Sequence, residues 1–252
     1  VITDPIFYLA AIPAVLLIGL SKGGFGGSIS LVGVPLMAMI VSPVAAAGIL
    51  LPIMVVMDAI SLYAWRGRFD RTLLLSMLPA AIGGVGLGYL TAAFVSAEGV
   101  RLLLGLLALW FAADWFFRSR HRSESKESRP LRANVWGAIS GFSSFVSHAG
   151  GPPYQIYVLP LRLSPQIYAG TSAVFFAGVN GVKLLPYSLL GQFSTGNLMT
   201  SAVLLPLAPV ATLIGVWLVR KVDPAKFYIF TYALLVPVGL KLVLDGVAAM
   251  LP

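Results

Sequence analysis

Gly19-Leu-Ser-Lys-Gly-Gly-Phe-Gly-Gly-Ser28 interrupts an apolar run, and Gly141-Phe-Ser-Ser-Phe-Val-Ser-His-Ala-Gly-Gly-Pro-Pro153 does the same about 124 residues later in a chain of 252. Each stretch carries a Gly-Gly pair, a cationic or titratable side chain just upstream (Lys22, His148) and a short apolar run downstream. Those runs, near 29–41 and 153–163, end at Ser42-Pro43 and Ser164-Pro165. Crossing a hydrocarbon core takes roughly 20 helical residues, so both are too short. They read as half-helices or re-entrant pieces, tolerated at membrane depth only when buried in protein or lining a cavity. One such break per half is the pattern of a duplicated transporter with its site between the repeats.

The rest of the chain supplies the membrane spans. It is 58% hydrophobic and 10% charged, with a mean hydropathy of +0.92, more apolar surface than a soluble domain of this length can hide. Further apolar segments lie near 5–20, 44–65, 72–95, 99–117, 132–147, 167–190, 197–219 and 226–250. Residues 5–20 lack a basic n-region and long apolar segments follow, so the first reads as a membrane segment rather than a cleaved signal. The expected fold is an all-α polytopic membrane protein. It has two inverted-topology repeats of about five segments each, with one short broken or re-entrant helix per repeat. The repeats are residues 1–117 and 132–252, joined by a basic linker over 118–131.

Charge sets the topology. The net charge of +8 suggests a nucleic-acid partner, but 12 of the 17 basic residues fall in three polar loops. These are Arg66 to Arg71, Arg118 to Arg132 and Arg220 to Lys226. Basic loops between apolar spans mark the cytoplasmic side, so the charge reports orientation. The halves align at Ala47-Gly48 with Ala169-Gly170, Asp58 with Asn180, and Gly67-Arg-Phe-Asp70 with Gly191-Gln-Phe-Ser194. At matching positions, however, the charged loops alternate. Arg66–Arg71 is basic and Gly191–Gly196 is uncharged; Ser96–Gly99 is weakly charged and Arg220–Lys226 is basic. The halves therefore have opposite orientation, with both termini outside and the central loop cytoplasmic.

A charge inside the membrane costs at least about 2.5–3.5 kcal/mol on insertion scales, so the few polar residues within spans are functional candidates. They are Lys22, Asp58, His148 and Lys183, with Gln155, Thr171, Ser172 and Asn180. Half-helices beginning at Gly27-Ser28 and Gly151-Pro152 would present free N–H groups and positive dipole ends. Pro152 and Pro153 suit a first helical turn. Two such ends brought together form an anion site. Gly23, Gly24, Gly26, Gly27, Gly150 and Gly151 supply the backbone, Lys22, His148 and Lys183 the charge, and Ser28, Thr171, Ser172 and Asn180 further donors. Each has a plainer alternative. The glycines can serve close helix packing, Lys183 can snorkel, and His148 can donate one structural hydrogen bond. Asp58 is a proton carrier, a counter-ion to Lys22 or Lys183, or a structural partner, with nothing to separate the three. Tyr63, Trp65, Trp110, Trp115 and Trp217 fit an aromatic belt at segment edges.

Zero cysteines exclude disulfides and thiolate metal sites, and two histidines argue against a metal centre. Nucleophile elbows, paired acidic motifs and HExxH are missing from the sequence, so neither enzyme chemistry nor a cofactor is expected.

The ordered motifs resemble the sulfite exporter TauE/SafE family of membrane transporters. The resemblance rests on Gly19–Ser28 with Val34-Pro35 after it, Ser147-His-Ala-Gly-Gly-Pro-Pro153, Gly170-Thr-Ser-Ala173 and Asn180-Gly-Val-Lys183, and it covers nearly the whole chain. It implies a bacterial inner-membrane secondary transporter, an exporter, for a small sulfur-containing anion such as sulfite or an organosulfonate. The partners are then that anion and membrane lipid, with no nucleic acid; the oligomeric state is open. An anion channel, a proton-coupled importer of thiosulfate or sulfonate, or a membrane enzyme of sulfur metabolism are the alternatives. Import would need a co-transported cation, and only Asp58 and His148 can carry a proton at depth.

Overall fold

A computed structural model of the chain describes residues 2–26, 33–91, 94, 96–119 and 128–248. Every regular element among them is helical. The helices are α1 (Pro5–Leu20), α2 (Gly33–Ala38), α3 (Pro43–Ala64), α4 (Arg71–Thr91), α5 (Ala97–Asp114), α6 (Pro130–Ser147), α7 (Gly151–Val158), α8 (Pro165–Leu189), α9 (Thr195–Leu204), α10 (Leu207–Lys221) and α11 (Pro224–Ala248). Starts are written into the sequence. Asp4, Ser42, Ser96 and Ser194 each accept a hydrogen bond from a backbone N–H of the first turn, satisfying groups that the helix leaves open.

Five stretches are long and apolar enough to cross a membrane: Pro5–Phe25, Val44–Ala64, Arg71–Thr91, Glu98–Phe117 and Pro224–Ala248. The expected span at 197–219 is apolar enough to cross only as a broken pair. It is two helices, α9 and α10, bent by 49°, because Pro206 at the break has no N–H to continue the ladder. Helix α8 is long but interrupted by Gln166, Thr171, Ser172, Asn180 and Lys183. Outward positions are apolar, as at Leu9, Leu75, Leu106 and Leu185, whereas Ser140, Thr171, Asn180 and Lys183 are buried. That inverted polarity suits a lipid surround.

The chain packs as two compact units, each drawing on both sequence halves. The first holds residues 1–70 and 166–221, the second residues 71–165 and 222–252. In the first unit α1 lies against α10 through small residues; a Cβ at Gly19 would come within 2.4 Å of Ala211 Cβ. Helices α3 and α8 exchange contacts. Gly48, near the start of α3, abuts the Gln192 carbonyl just beyond α8, and Gly170, near the start of α8, abuts the Arg68 carbonyl just beyond α3. The two helices therefore run antiparallel. In the second unit Gly84, Gly137 and Gly141 bring α4 and α6 into backbone contact, and Gly105 and Gly239 do so for α5 and α11.

Candidate anion site

The first glycine cluster ends α1 in a π-turn over Ser21–Phe25. Gly24 there has φ +154° and Gly26 φ +74°, values that L side chains rarely adopt. Widening the helix frees carbonyls that cannot remain unpaired at depth. Helix α3 supplies their partners: Ser61 Oγ donates to the Lys22 carbonyl at 2.8 Å, and Trp65 Nε1 donates to the Gly23 carbonyl at 2.9 Å. Trp65 is 1% exposed and Trp115 is stacked on Tyr232. Neither belongs to the aromatic belt; Tyr63, Trp110 and Trp217 are the exposed members.

One turn before Ser61, on the same face of α3, Asp58 receives the charge of the cluster. Lys22 Nζ lies 2.6 Å from Asp58 Oδ1, and Asn180 Nδ2 of α8 donates to Asp58 Oδ2 at 2.6 Å. Of the three roles open to Asp58 in the sequence, pairing with Lys22 is the one observed. Lys22 also sits 5.3 Å from the Phe176 ring centroid. Lys183, one turn beyond Asn180, is fully buried, 5.5 Å from the Tyr187 ring centroid, and within electrostatic reach of Lys22 and Asp58. Full burial excludes snorkelling. Asn180 of α8 thus meets Asp58 of α3, with Phe176 beside Lys22 and Tyr187 beside Lys183.

Among the described residues, the buried acidic and basic side chains are Lys22, Asp58 and Lys183. Fully ionised, they carry one excess positive charge in a low-dielectric interior, a costly state that an anion relieves. Ser21 Oγ, next to Lys22, is fully buried and has no hydrogen-bond partner among the described residues; Thr212 Oγ1 on α10 is in the same condition. Sequence reasoning missed Ser21, Ser61, Trp65 and Thr212. For Ser61 and Trp65 the signal was present: with Asp58 they form an i, i+3, i+7 stripe in an otherwise apolar helix.

The other expected site residues distribute as follows. Gly23 and Gly24 pack against α10 and α8, next to Gly215 and Ala169. Thr171 Oγ1 donates to the Ile167 carbonyl and accepts from Asp70 N, and Ser172 Oγ donates to the Ala169 carbonyl. Both hydroxyl protons are engaged by the backbone. Gly27 and Ser28 lie outside the described residues. His148, Gly150 and Gly151 belong to the second unit. There His148 takes the left-handed position that ends α6, with φ 54°. Gly150 accepts from Ser140 Oγ at 2.6 Å, and α7 starts at Gly151 with proline in its first turn as expected. Gln155 is buried in α7.

The sequence profile of the family described as Sulfite exporter TauE/SafE matches residues 11–242. No curated protein and no solved structure matches the chain.

Proposed function

The chain belongs to the sulfite exporter TauE/SafE family, and from that premise we propose that it is a secondary transporter exporting a small sulfur-containing anion, held by Lys22 and Lys183. The observation that carries this is the burial of two lysines, Lys22 and Lys183, around the single carboxylate of Asp58. Ammonium groups walled by Phe176 and Tyr187, with Asn180 and Ser21 as neutral donors, suit a tetrahedral or pyramidal oxyanion. Export needs no coupling in a bacterial inner membrane whose cytoplasmic side is negative and faces the basic loops. Each departing negative charge gains about 2.3 kcal/mol per 100 mV.

Alternating access would come from two inverted repeats. Equivalent positions support that reading. Asp58 hydrogen-bonds Asn180, its counterpart 122 residues on. Gly67 and Gly191, aligned in the sequence, have φ +74° and +67°. The antiparallel exchange at Gly48 and Gly170 is what a two-fold axis between α3 and α8 would produce.

Purified protein in liposomes tests the proposal. Saturable sulfite flux, reduced by Lys183→Met, is the expected result. Conductance without saturation would make it a channel, and chemical turnover of sulfite an enzyme.

A further inference from the structure

Asp58 is held by two unlike partners. Oδ2 accepts from Asn180, a neutral amide that donates to a carboxylate and to a carboxylic acid alike. Oδ1 faces Lys22, the group that an incoming anion would also seek. Asp58 and the transported anion are therefore competitors for one ammonium.

The charge of the cluster decides the outcome. Lys22, Lys183 and Asp58 together carry one positive charge when ionised. A monoanion brings the interior to neutrality. A dianion leaves one negative charge uncompensated, which a low-dielectric interior strongly disfavours. A proton on Asp58 Oδ1 removes that charge. It also turns the oxygen that competes for Lys22 into an O–H donor to the anion, while Asn180 keeps its bond to Oδ2.

We infer that Asp58 is a proton site that matches the cluster to the valence of its cargo, so that a dianion binds with one more proton than a monoanion does. The inference rests on the reading of this cluster as the anion site. The proton comes from water, only the O–H bond forms, and no group is oxidised or reduced. The elements around Asp58 bring few other charges. The π-turn contributes Lys22 and α8 contributes Lys183, with Tyr187 beyond it. Helices α2 and α9 have no ionisable residue, and α1 has only Tyr8, bonded to the Ile2 carbonyl. On α10, Arg220 holds the Ala64 carbonyl and Lys221 lies over Trp217.

The test uses methanesulfonate and thiosulfate, anions of strong acids that keep one and two charges near neutral pH. Calorimetry of each binding to the purified chain, in buffers of different ionisation enthalpy, counts the protons taken up. The expected result is one more proton with thiosulfate, a difference that vanishes in Asp58→Asn. Equal uptake in the native chain, or a difference that survives in Asp58→Asn, overturns the inference. Should methanesulfonate not bind, thiosulfate uptake must fall by one proton in Asp58→Asn, and an unchanged count overturns the inference. If that variant does not fold, the native chain still decides. Thiosulfate affinity should fall about tenfold per pH unit relative to methanesulfonate as pH rises, and parallel pH profiles refute it. Failure of both anions to bind overturns the anion site itself, a separate outcome from binding without extra proton uptake.

Discussion

Lys183 and Asp58 are both buried ionisable residues, yet their removal has opposite consequences for the charge they leave behind. Replacing Lys183 by Met keeps the volume and takes the net charge of the ionised Lys22, Asp58 and Lys183 from plus one to zero, while the Lys22–Asp58 pair stays intact. Lys183→Met is therefore expected to unfold at the same or higher temperature while losing sulfite affinity by about 10- to 100-fold, the worth of a charged hydrogen bond. Thermal unfolding in detergent and calorimetry measure the two. Unchanged affinity would remove Lys183 from the site. Asp58→Asn strands the Lys22 ammonium, which has Asp58 at 2.6 Å in the native chain. It should cost about 3–5 kcal/mol, recovered in part by saturating sulfite because the anion replaces the lost charge. A variant that sulfite does not stabilise would show that the ligand does not reach Lys22.

At the scale of elements, α8 carries a paired test of how glycine is used. Gly170 abuts the Arg68 carbonyl, so a Cβ there must force the start of α8 away from the end of α3. Gly181, on the same helix, has nothing within 4 Å of where its Cβ would be. Gly170→Ala should destabilise by about 1–3 kcal/mol or more, and Gly181→Ala should stabilise by about 0.5–1 kcal/mol. Unfolding midpoints of the two variants settle the sign, and a neutral Gly170→Ala would mean that the contact relaxes freely. Much at this scale was legible in the sequence, because helix starts and spans depend on local spacing. Asp4, Ser42 and Ser194 cap as their positions beside Pro5, Pro43 and Thr195 suggest. What local spacing cannot give is where a freed carbonyl finds its donor. Trp65 at a helix end looks interfacial until the π-turn brings the Gly23 carbonyl to it. The same holds for the pairing of Asp58, since Lys22 and Lys183 stand 36 and 125 positions away and the helix pattern favours neither.

For the whole molecule, the alignment of halves marked Asp58 and Asn180 as equivalents, but it did not reveal that each compact unit takes helices from both halves. In the first unit that interleaving is carried by α3 of one half meeting α8 of the other. The charge carried per cycle then follows from the site. If the cluster accepts a monoanion alone and a dianion with one proton, the loaded carrier is neutral in both cases and the empty carrier returns with one positive charge. Net transport is one negative charge per anion, whatever the valence. In liposomes with equal pH on both sides and a potential clamped by potassium and an ionophore, internal negative potential should expel both anions equally. The steady outward gradient should reach about tenfold for roughly 60 mV, since one charge is worth about 2.3 kcal/mol per 100 mV. Thiosulfate moving without its proton would instead respond with twice the logarithmic slope of methanesulfonate. Measuring the two accumulation ratios across a series of clamped potentials separates these outcomes, and the doubled slope would remove Asp58 as the proton carrier even if both anions bind as expected.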